Sequence, residues 1–429
     1  MVLNYASRLF WKRSLIDKKI KNSHALMLAN GFFYQTCKGQ FAFLPLGQRV
    51  LDKLSLLIEA ELNNIGGQKC SLPSMAPASL WKRTGRWQEY GSIMFKLKDR
   101  ERTEFCLQPT AEEMMTDIVA NYGTITPGAL PLLLYQTTEK YRNEERPEFG
   151  SIRCSQFLMN DLYSFDVDKA TASETYGVIS AVYKRILFNR LGLNETRMVE
   201  ADNGDMGGDV SHEYHLPNVA AQDHIGVCNT CGSSRLWGPD VTCEPCNTVM
   251  QKMPTIEIGH TFMLGTRYTE AFGAKDEGGV PYFMNCFGLG VTRLLGASID
   301  LLSSATIMRL PEALSVFKVA IILPKPISTS SASLDFAYSI MNDLDDFEHL
   351  KDDILIEDRT QKSVGQRLTH LNQLGIPHIF VVQAKKSYKP HDTIRIEYFR
   401  TEPRSFELID CGILNHSQMF DVLRNIDRK

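Results

Sequence analysis

The stretch 140–157, KYRNEERPEFGSIRCSQF, constrains this chain more than any other. Apolar Leu134 and Tyr135 lead into it, Pro147 and Gly150 break a charged loop, and Arg153 and Phe157 stand on the return side. Antiparallel strands joined by such a loop bring Arg142 and Arg153 near one another, with Glu144 beside them. Two guanidiniums can hold a phosphate chain and a carboxylate through planar, charge-assisted pairs, and an aromatic face can cover a purine. A surface hairpin stitched by salt bridges suits the same residues, so the choice rests on what else the chain carries.

It carries a second segment of the same chemistry. Phe287-Gly288-Leu289-Gly290-Val291-Thr292-Arg293 is a glycine-rich strand end running into an apolar helix over 294–302. Glycines allow close backbone approach, and a helix N-terminus beside Arg293 favours phosphate oxygens. Upstream, Leu44-Pro45-Leu46-Gly47 opens a helix with Val50, Leu51, Leu54, Leu57, Ile58 and Leu62 at helical spacing, closing at Ser71-Leu72-Pro73. Then come Gln108-Pro109-Thr110-Ala111-Glu112-Glu113, Gly207-Gly208 with Ser211-His212-Glu213, Glu257-Ile258-Gly259-His260-Thr261-Phe262, Leu264-Gly265-Thr266-Arg267-Tyr268 and Gly375-Ile376-Pro377-His378. In this order the segments resemble the prolyl-tRNA synthetases among the class II aminoacyl-tRNA synthetases. The hairpin resembles motif 2, the glycine segment motif 3, the helix from 44 motif 1, and Pro109 to Glu113 the PTxEE signature. The resemblance covers roughly residues 23 to 429 and is closest to the mitochondrial, bacterial-type form without the large editing insertion.

The resemblance implies an α/β (α+β) fold: a class II antiparallel-sheet catalytic domain and a mixed α/β anticodon-binding domain. It implies activation of L-proline with ATP to prolyl-adenylate, then transfer to the 3′-terminal adenosine of tRNA(Pro). Arg142 would bridge the proline carboxylate and the α-phosphate, and Arg153 and Arg293 would hold the outer phosphates with Mg²⁺. Phe157 would stack on adenine, Glu144 would read its amino edge, and Glu257 and His260 would line the nucleotide side. Thr110 and Glu112 would take the two hydrogens of proline's ammonium, with Phe262 against the ring. Thr110 could equally cap a helix over 110–121, with Glu113 completing a capping box. Arg146 would meet the tRNA acceptor stem, and motif 1 would form a homodimer. The chain departs from the usual Gly-Pro-Thr-His at Gln108 and Ala111, and from the usual second motif 2 arginine at Ser155. A threonyl enzyme would need zinc ligands in the amino-acid pocket, and no Cys/His set falls in these motifs. A non-catalytic paralogue would have lost a motif arginine.

Composition is ordinary for a soluble globular protein, 43% hydrophobic and 23% charged with net charge −3; 429 residues should hold two or three domains, and no apolar run is long enough to span a bilayer. The first 22 residues hold Arg8, Lys12, Arg13, Lys18, Lys19 and Lys21 against Asp17 alone, interleaved with Leu3, Tyr5, Leu9, Phe10 and Trp11. That pattern reads as a mitochondrial targeting segment directing the chain to the matrix; a basic first helix of a cytoplasmic bacterial enzyme is the alternative. The catalytic domain is expected over 23–310, with helices at 47–65, 110–121 and 171–191 and strands at 132–136 and 282–287. The anticodon-binding domain is expected over 311–429, with strands at 316–323, 353–357, 378–383, 394–400 and 405–410 alternating with helices at 334–347, 363–374 and 417–427. There Lys385, Lys386, Lys389, Arg395, Arg400 and Arg404 are candidates for phosphate contacts.

An insert at 222–256 interrupts the catalytic domain. Cys228-x-x-Cys231 and Cys243-x-x-Cys246, with glycine and proline turns around them, can deliver four thiolates to a structural Zn²⁺. Two disulfides or free thiols are the alternatives. The other six cysteines (37, 70, 106, 154, 286 and 411) read as buried small hydrophobes.

Overall fold

The stretches 132–141 and 156–166 form one antiparallel ladder, and the largest sheet among the described residues grows from it. A computed structural model describes residues 4–11, 22–123, 125–147, 150–218, 223–239, 241–324, 344, 347–384 and 394–426. Leu132–Tyr141 pairs with Gln156–Asp166 from Leu132 opposite Phe165 to Tyr141 opposite Gln156. The nine-stranded sheet then runs through Phe283–Leu289, Gln251–Gly265, Val210–Pro217 and Arg197–Glu200, all antiparallel, while Gln68–Lys69 joins the other edge in parallel. The class II antiparallel core expected from the motifs is therefore present.

Burial fixes the register of that ladder. Lys140 and Asp161 are 1% and 0% exposed and paired at 2.8 Å. The Asp161 carboxylate also accepts from Gln136 at 2.8 Å and from the Tyr163 hydroxyl at 2.7 Å, and that hydroxyl in turn accepts the Ala111 amide at 3.1 Å. A one-residue slip would turn each of these groups to the opposite face and strand a charge in the core. The same chain of bonds ties the sheet to the start of the helix Glu112–Asn121.

The chain divides into two compact units. One comprises residues 35–42 and 51–301 and contains the nine-stranded sheet. The other comprises residues 1–34, 43–50 and 302–429, so stretches from near the start of the chain cluster with its last third. The second unit has a six-stranded mixed sheet in the order Asn4–Tyr5, Ile354–Glu357, Val319–Ile322, His378–Ala384, Ile394–Arg400, Ile409–Leu414. Its first three pairings are parallel and its last two antiparallel. Asn4–Tyr5 lies within the segment read as a targeting sequence, and Ser7 donates its amide and hydroxyl to Asp358.

Most expected elements are found with adjusted ends. The motif 1 helix is Pro45–Asn63, and the helix expected over 171–191 is Lys169–Lys184 followed by a π-helical turn, Arg185–Arg190. The helices at 363–374 and 417–427 are Val364–Leu374 and His416–Asn425, each with a full capping box. The strand expected at 405–410 lies instead at Ile409–Leu414. Residues before it wrap the buried guanidinium of Arg309, which donates to the carbonyls of Glu402, Ser405 and Asn372, and Arg404 has a φ of 68°. A cation fully enclosed by carbonyls holds that stretch out of the ladder. The helix expected at 334–347 falls almost wholly outside the described residues, as do Lys385, Lys386 and Lys389 and the basic residues at 12–21. Among the described residues no helix is long and apolar enough to cross a membrane.

Candidate active site

The helix Glu112–Asn121, the ladder, and the two strands beyond it enclose a cavity of about 590 Å³. Its lining includes Thr110, Glu112, Arg142, Glu144, Arg153, Phe157, Glu257, His260, Phe262 and Arg293, the residues that sequence reasoning singled out for proline and ATP. Strand pairing explains the convergence. Phe157 sits opposite Lys140, and one step on the Arg142 amide donates to the Ser155 carbonyl at 2.9 Å. On the next strands, Gly259 faces Leu289 and His260 faces Gly288, so the 257–262 segment and the motif 3 segment share one wall. Gly208, at φ +98°, lies where a Cβ would meet the Met263 carbonyl oxygen at 2.0 Å, which explains why that turn requires glycine.

The cations of the cavity are not equivalent. Arg153 is paired with Glu144 at 2.8 Å, the salt-bridged hairpin foreseen as the plain alternative. Arg293 donates to the Ile152 and Glu257 carbonyls at 2.9 and 3.0 Å and lies 3.7 Å from the Glu257 carboxylate. Arg142 forms no ion pair among the described residues. Its guanidinium lies 5.2 Å from the Phe157 ring centroid, its Nη2 reaches the Pro109 carbonyl only at 3.5 Å, and its Nε is buried without a partner. A half-buried cation whose buried Nε has no partner on a cavity wall is costly unless an anion completes it.

The carboxylates divide likewise. Burial in the cleft pushes Glu257 toward neutrality. The hydrogen bond from His260 and the charges of Arg293, His260 and Arg142 outweigh it and hold the pKa down to about 2. The His260 ring stacks on Phe262 at 3.9 Å, and its Nε2 is 3.2 Å from the Ser211 hydroxyl. Glu112 is fully buried, and the Thr110 hydroxyl donates a bifurcated bond to its two oxygens at 2.7 and 2.8 Å. Thr110 is therefore not a helix cap: the N-cap is Ala111, with no side-chain capping bond.

Two expected sites lie elsewhere. Arg146 is exposed on the hairpin loop, off the cavity wall. The four insert cysteines gather beyond the strand Asp223–Val227 and around the short pair Thr242–Cys243 and Thr248–Val249, with all four sulfurs within 4.8 Å of one another. Of the six cysteines read as buried hydrophobes, Cys37 and Cys411 are exposed. Cys286 is buried but lines the cavity, its thiol 3.2 Å from Glu112. Sequence reasoning also passed over Tyr90, Met159, Asp205 and Met206, which line the cavity, and Arg86 behind it. Gly85-Arg86-Trp87 offered only an arginine among aromatics, a weak signal.

Comparison with known proteins decides the family. Residues 95–301 match the family described as tRNA synthetase class II core domain (G, H, P, S and T). The probable mitochondrial proline–tRNA ligase of Rattus norvegicus is 38% identical over 86% of this chain and 79% of its own length. The corresponding protein of Schizosaccharomyces pombe is 32% identical over 85% and 86%. The chain belongs to the prolyl-tRNA synthetase family. Its fold is similar to that of the Cryptosporidium parvum prolyl-tRNA synthetase solved with L-proline and AMP, with TM-score 0.71 and 14% identity over 94% of this chain and 74% of that one. As a prolyl-tRNA synthetase it is a ligase with a class II core, and the insert between its motifs 2 and 3 holds short strands and the cysteine cluster.

A depressed carboxylate pKa has a consequence for stability. Glu257, ordinarily near 4.5 and here about 2, contributes stability that is present above pH 4.5 and lost as pH falls toward 2. Glu257→Gln should therefore be less stable than wild type near neutrality, with the gap closing on acidification. Thermal unfolding of both proteins from pH 7 down to pH 2 measures this; a gap independent of pH would contradict it.

Proposed function

We propose that this cavity forms prolyl-adenylate, with Arg142 as the group on which the reaction turns. The observation that carries the reading is Arg142 itself, the cavity cation with no ion pair among the described residues and a buried, unpartnered Nε, lining the same cavity as Thr110 and Glu112. Glu112 and Thr110 take the two hydrogens of proline's secondary ammonium, the carboxylate through a charge-assisted bond. Phe262, 8% exposed beneath His260, closes on the ring. Arg142 then draws the proline carboxylate toward the α-phosphate of ATP, which enters as its magnesium complex. Bond formation to phosphorus expels pyrophosphate, and the charge gathering on the phosphoryl oxygens is met by fixed guanidiniums. Arg153 and Arg293 hold the outer phosphates. Arg153 must exchange its Glu144 partner for phosphate, which frees Glu144 to accept from the adenine amino group over Phe157. Glu257, ionised and beside His260 and Arg293, orders the nucleotide side. No side chain acts as a nucleophile.

The second step passes the prolyl group to the terminal ribose of tRNA(Pro). Exposed Arg146 is the acceptor-stem contact, and the six-stranded unit is the anticodon-binding domain, where Arg395, Arg400 and Arg404 are the described phosphate candidates. A homodimer through the motif 1 region is supported by Leu56 and Met75, 63% and 50% exposed there. The mitochondrial names of relatives and the basic N-terminal segment support the mitochondrial matrix. Ehrlichia relatives at 34% identity keep a bacterial cytoplasm as the alternative.

Arg142→Ala should abolish proline-dependent ATP–pyrophosphate exchange, falling on the order of 10²- to 10⁴-fold, since breaking a buried charge pair costs about 3–5 kcal/mol. A folded variant with near wild-type exchange would remove Arg142 from the site.

The insert cysteines hold a structural zinc in this reading. Zn–S bonds of about 2.3 Å set tetrahedral sulfurs roughly 3.8 Å apart, and the observed sulfurs, with Cys231 and Cys243 at 3.5 Å, need only small side-chain adjustments. Four thiolates leave no position open for substrate, and none of the four lines the cavity. Purified protein should contain one zinc per chain, and chelation should loosen the insert before exchange activity falls. No zinc, with four freely titrating thiols, would refute the assignment.

A further inference from the structure

Behind the cavity wall lies a charged group that the reaction scheme does not use. Arg86 is completely buried, on the short helix Arg86–Glu89 after Gly85, and it does not line the cavity. Its guanidinium is enclosed by aromatic rings: Trp81 and Tyr90 at 4.9 Å from their centroids and Tyr268 at 5.5 Å. One nitrogen, Nη1, donates to Glu112 Oε2 at 3.1 Å and to both oxygens of Glu113 at 3.0 and 3.1 Å. Nη2 reaches the Tyr90 hydroxyl at 3.2 Å and the Met206 sulfur at 2.9 Å, and Nε is buried without a partner. Rings and carboxylates together orient the guanidinium.

That orientation decides what Glu112 can do. Its Oε2 is anchored to Arg86 while Oε1 lies toward Thr110 and Cys286, both of which line the cavity. Glu113 does not line the cavity: it takes the Thr84 hydroxyl at 2.9 Å and shares the Arg86 Nη1 with Glu112. We propose that Arg86 is the positioning residue for recognition of proline's ammonium, holding Glu112 as an ionised acceptor aimed into the cavity. The inference rests on the reading of Thr110 and Glu112 as the proline ammonium site.

Charge balance gives the arrangement its selectivity. One guanidinium against two ionised carboxylates leaves a buried cluster with an excess negative charge, and a cationic amine at Glu112 brings the sum to zero. A neutral carboxylic acid would present a hydroxyl instead and lose the charge-assisted bond. Burial pushes both acids toward neutrality. Arg86, Thr110 and Cys286 hold Glu112 below its usual value, whereas Glu113, repelled by Glu112, is raised. Of the two acids, the one that faces the ligand is the harder to protonate.

The test is amino-acid activation by the full-length enzyme with Arg86→Gln, Glu112→Gln and Glu113→Gln, reading KM for proline and KM for ATP separately. Arg86→Gln should raise KM for proline about tenfold to a hundredfold, the range set by a hydrogen bond to a charged group, with KM for ATP nearly unchanged. A merely structural role would lower the active fraction without separating the two constants. If Arg86→Gln does not fold, Glu113→Gln carries the test. Arg86 then turns wholly to Glu112, the incoming ammonium meets a neutral cluster, and KM for proline should rise several-fold with ATP unaffected. An unchanged KM for proline in the folded variant overturns the role of Arg86. If Glu112→Gln also leaves that constant unchanged, the reading of the proline site itself fails; if Glu112→Gln raises it while the others do not, only this inference fails.

Discussion

Asp161 is the residue on which the arrangement of this enzyme depends. Its carboxylate collects Lys140, Gln136 and Tyr163 in the middle of the nine-stranded sheet, and through Tyr163 it reaches the amide of Ala111. A buried ion pair contributes little net stability, because desolvation offsets the attraction, but it penalises every alternative register that would leave one partner unpaired. With that register set, Arg142 leaves the end of one strand as Phe157 enters the next. The strand beyond brings up motif 3, and the one after that brings up Glu257 and His260. The helix carrying Glu112 is tied to the same network at its first turn. Position follows from backbone pairing and leaves the site's side chains free for ligand chemistry.

Within that frame the charges are held at different degrees of readiness. Arg86 is held by two carboxylates and three aromatic rings, Arg293 by two carbonyls and Glu257, and Arg153 by Glu144. Arg142, alone of these four, forms no ion pair among the described residues, and its buried Nε has no partner. The gradient runs from a cation that positions its neighbours to one that waits for substrate. Such preorganisation suits a reaction whose catalysis is positioning and charge stabilisation.

Much of this was legible in the sequence because the chemistry sits where secondary structure changes. Pro147 and Gly150 mark the hairpin, Gly288 and Gly290 mark the strand-to-helix turn, and the polar residues beside them stand out against apolar runs. Arg86 was not legible: a buried cation leaves no periodic trace, and its partners come from three separate segments. Thr110 looked like a helix cap because threonine is a common N-cap and the helix was expected from 110, but the helix starts at Glu112 and the Thr110 hydroxyl is engaged by Glu112. The strand placed at 405–410 was displaced by the carbonyls that solvate Arg309, a demand set by tertiary structure alone. Near the N-terminus, Asn4 and Tyr5 lie within the segment read as a targeting sequence and also form a short edge strand.

The central claim is that the cavity selects proline and joins it to AMP. ATP–pyrophosphate exchange by the purified enzyme, run with each of the twenty amino acids in turn, tests it most directly. The account predicts strong exchange with proline and weak exchange with alanine, which presents an ammonium but too little ring to fill the space beside Phe262. Exchange driven best by threonine or glycine, or by no amino acid at all in folded protein, would contradict it.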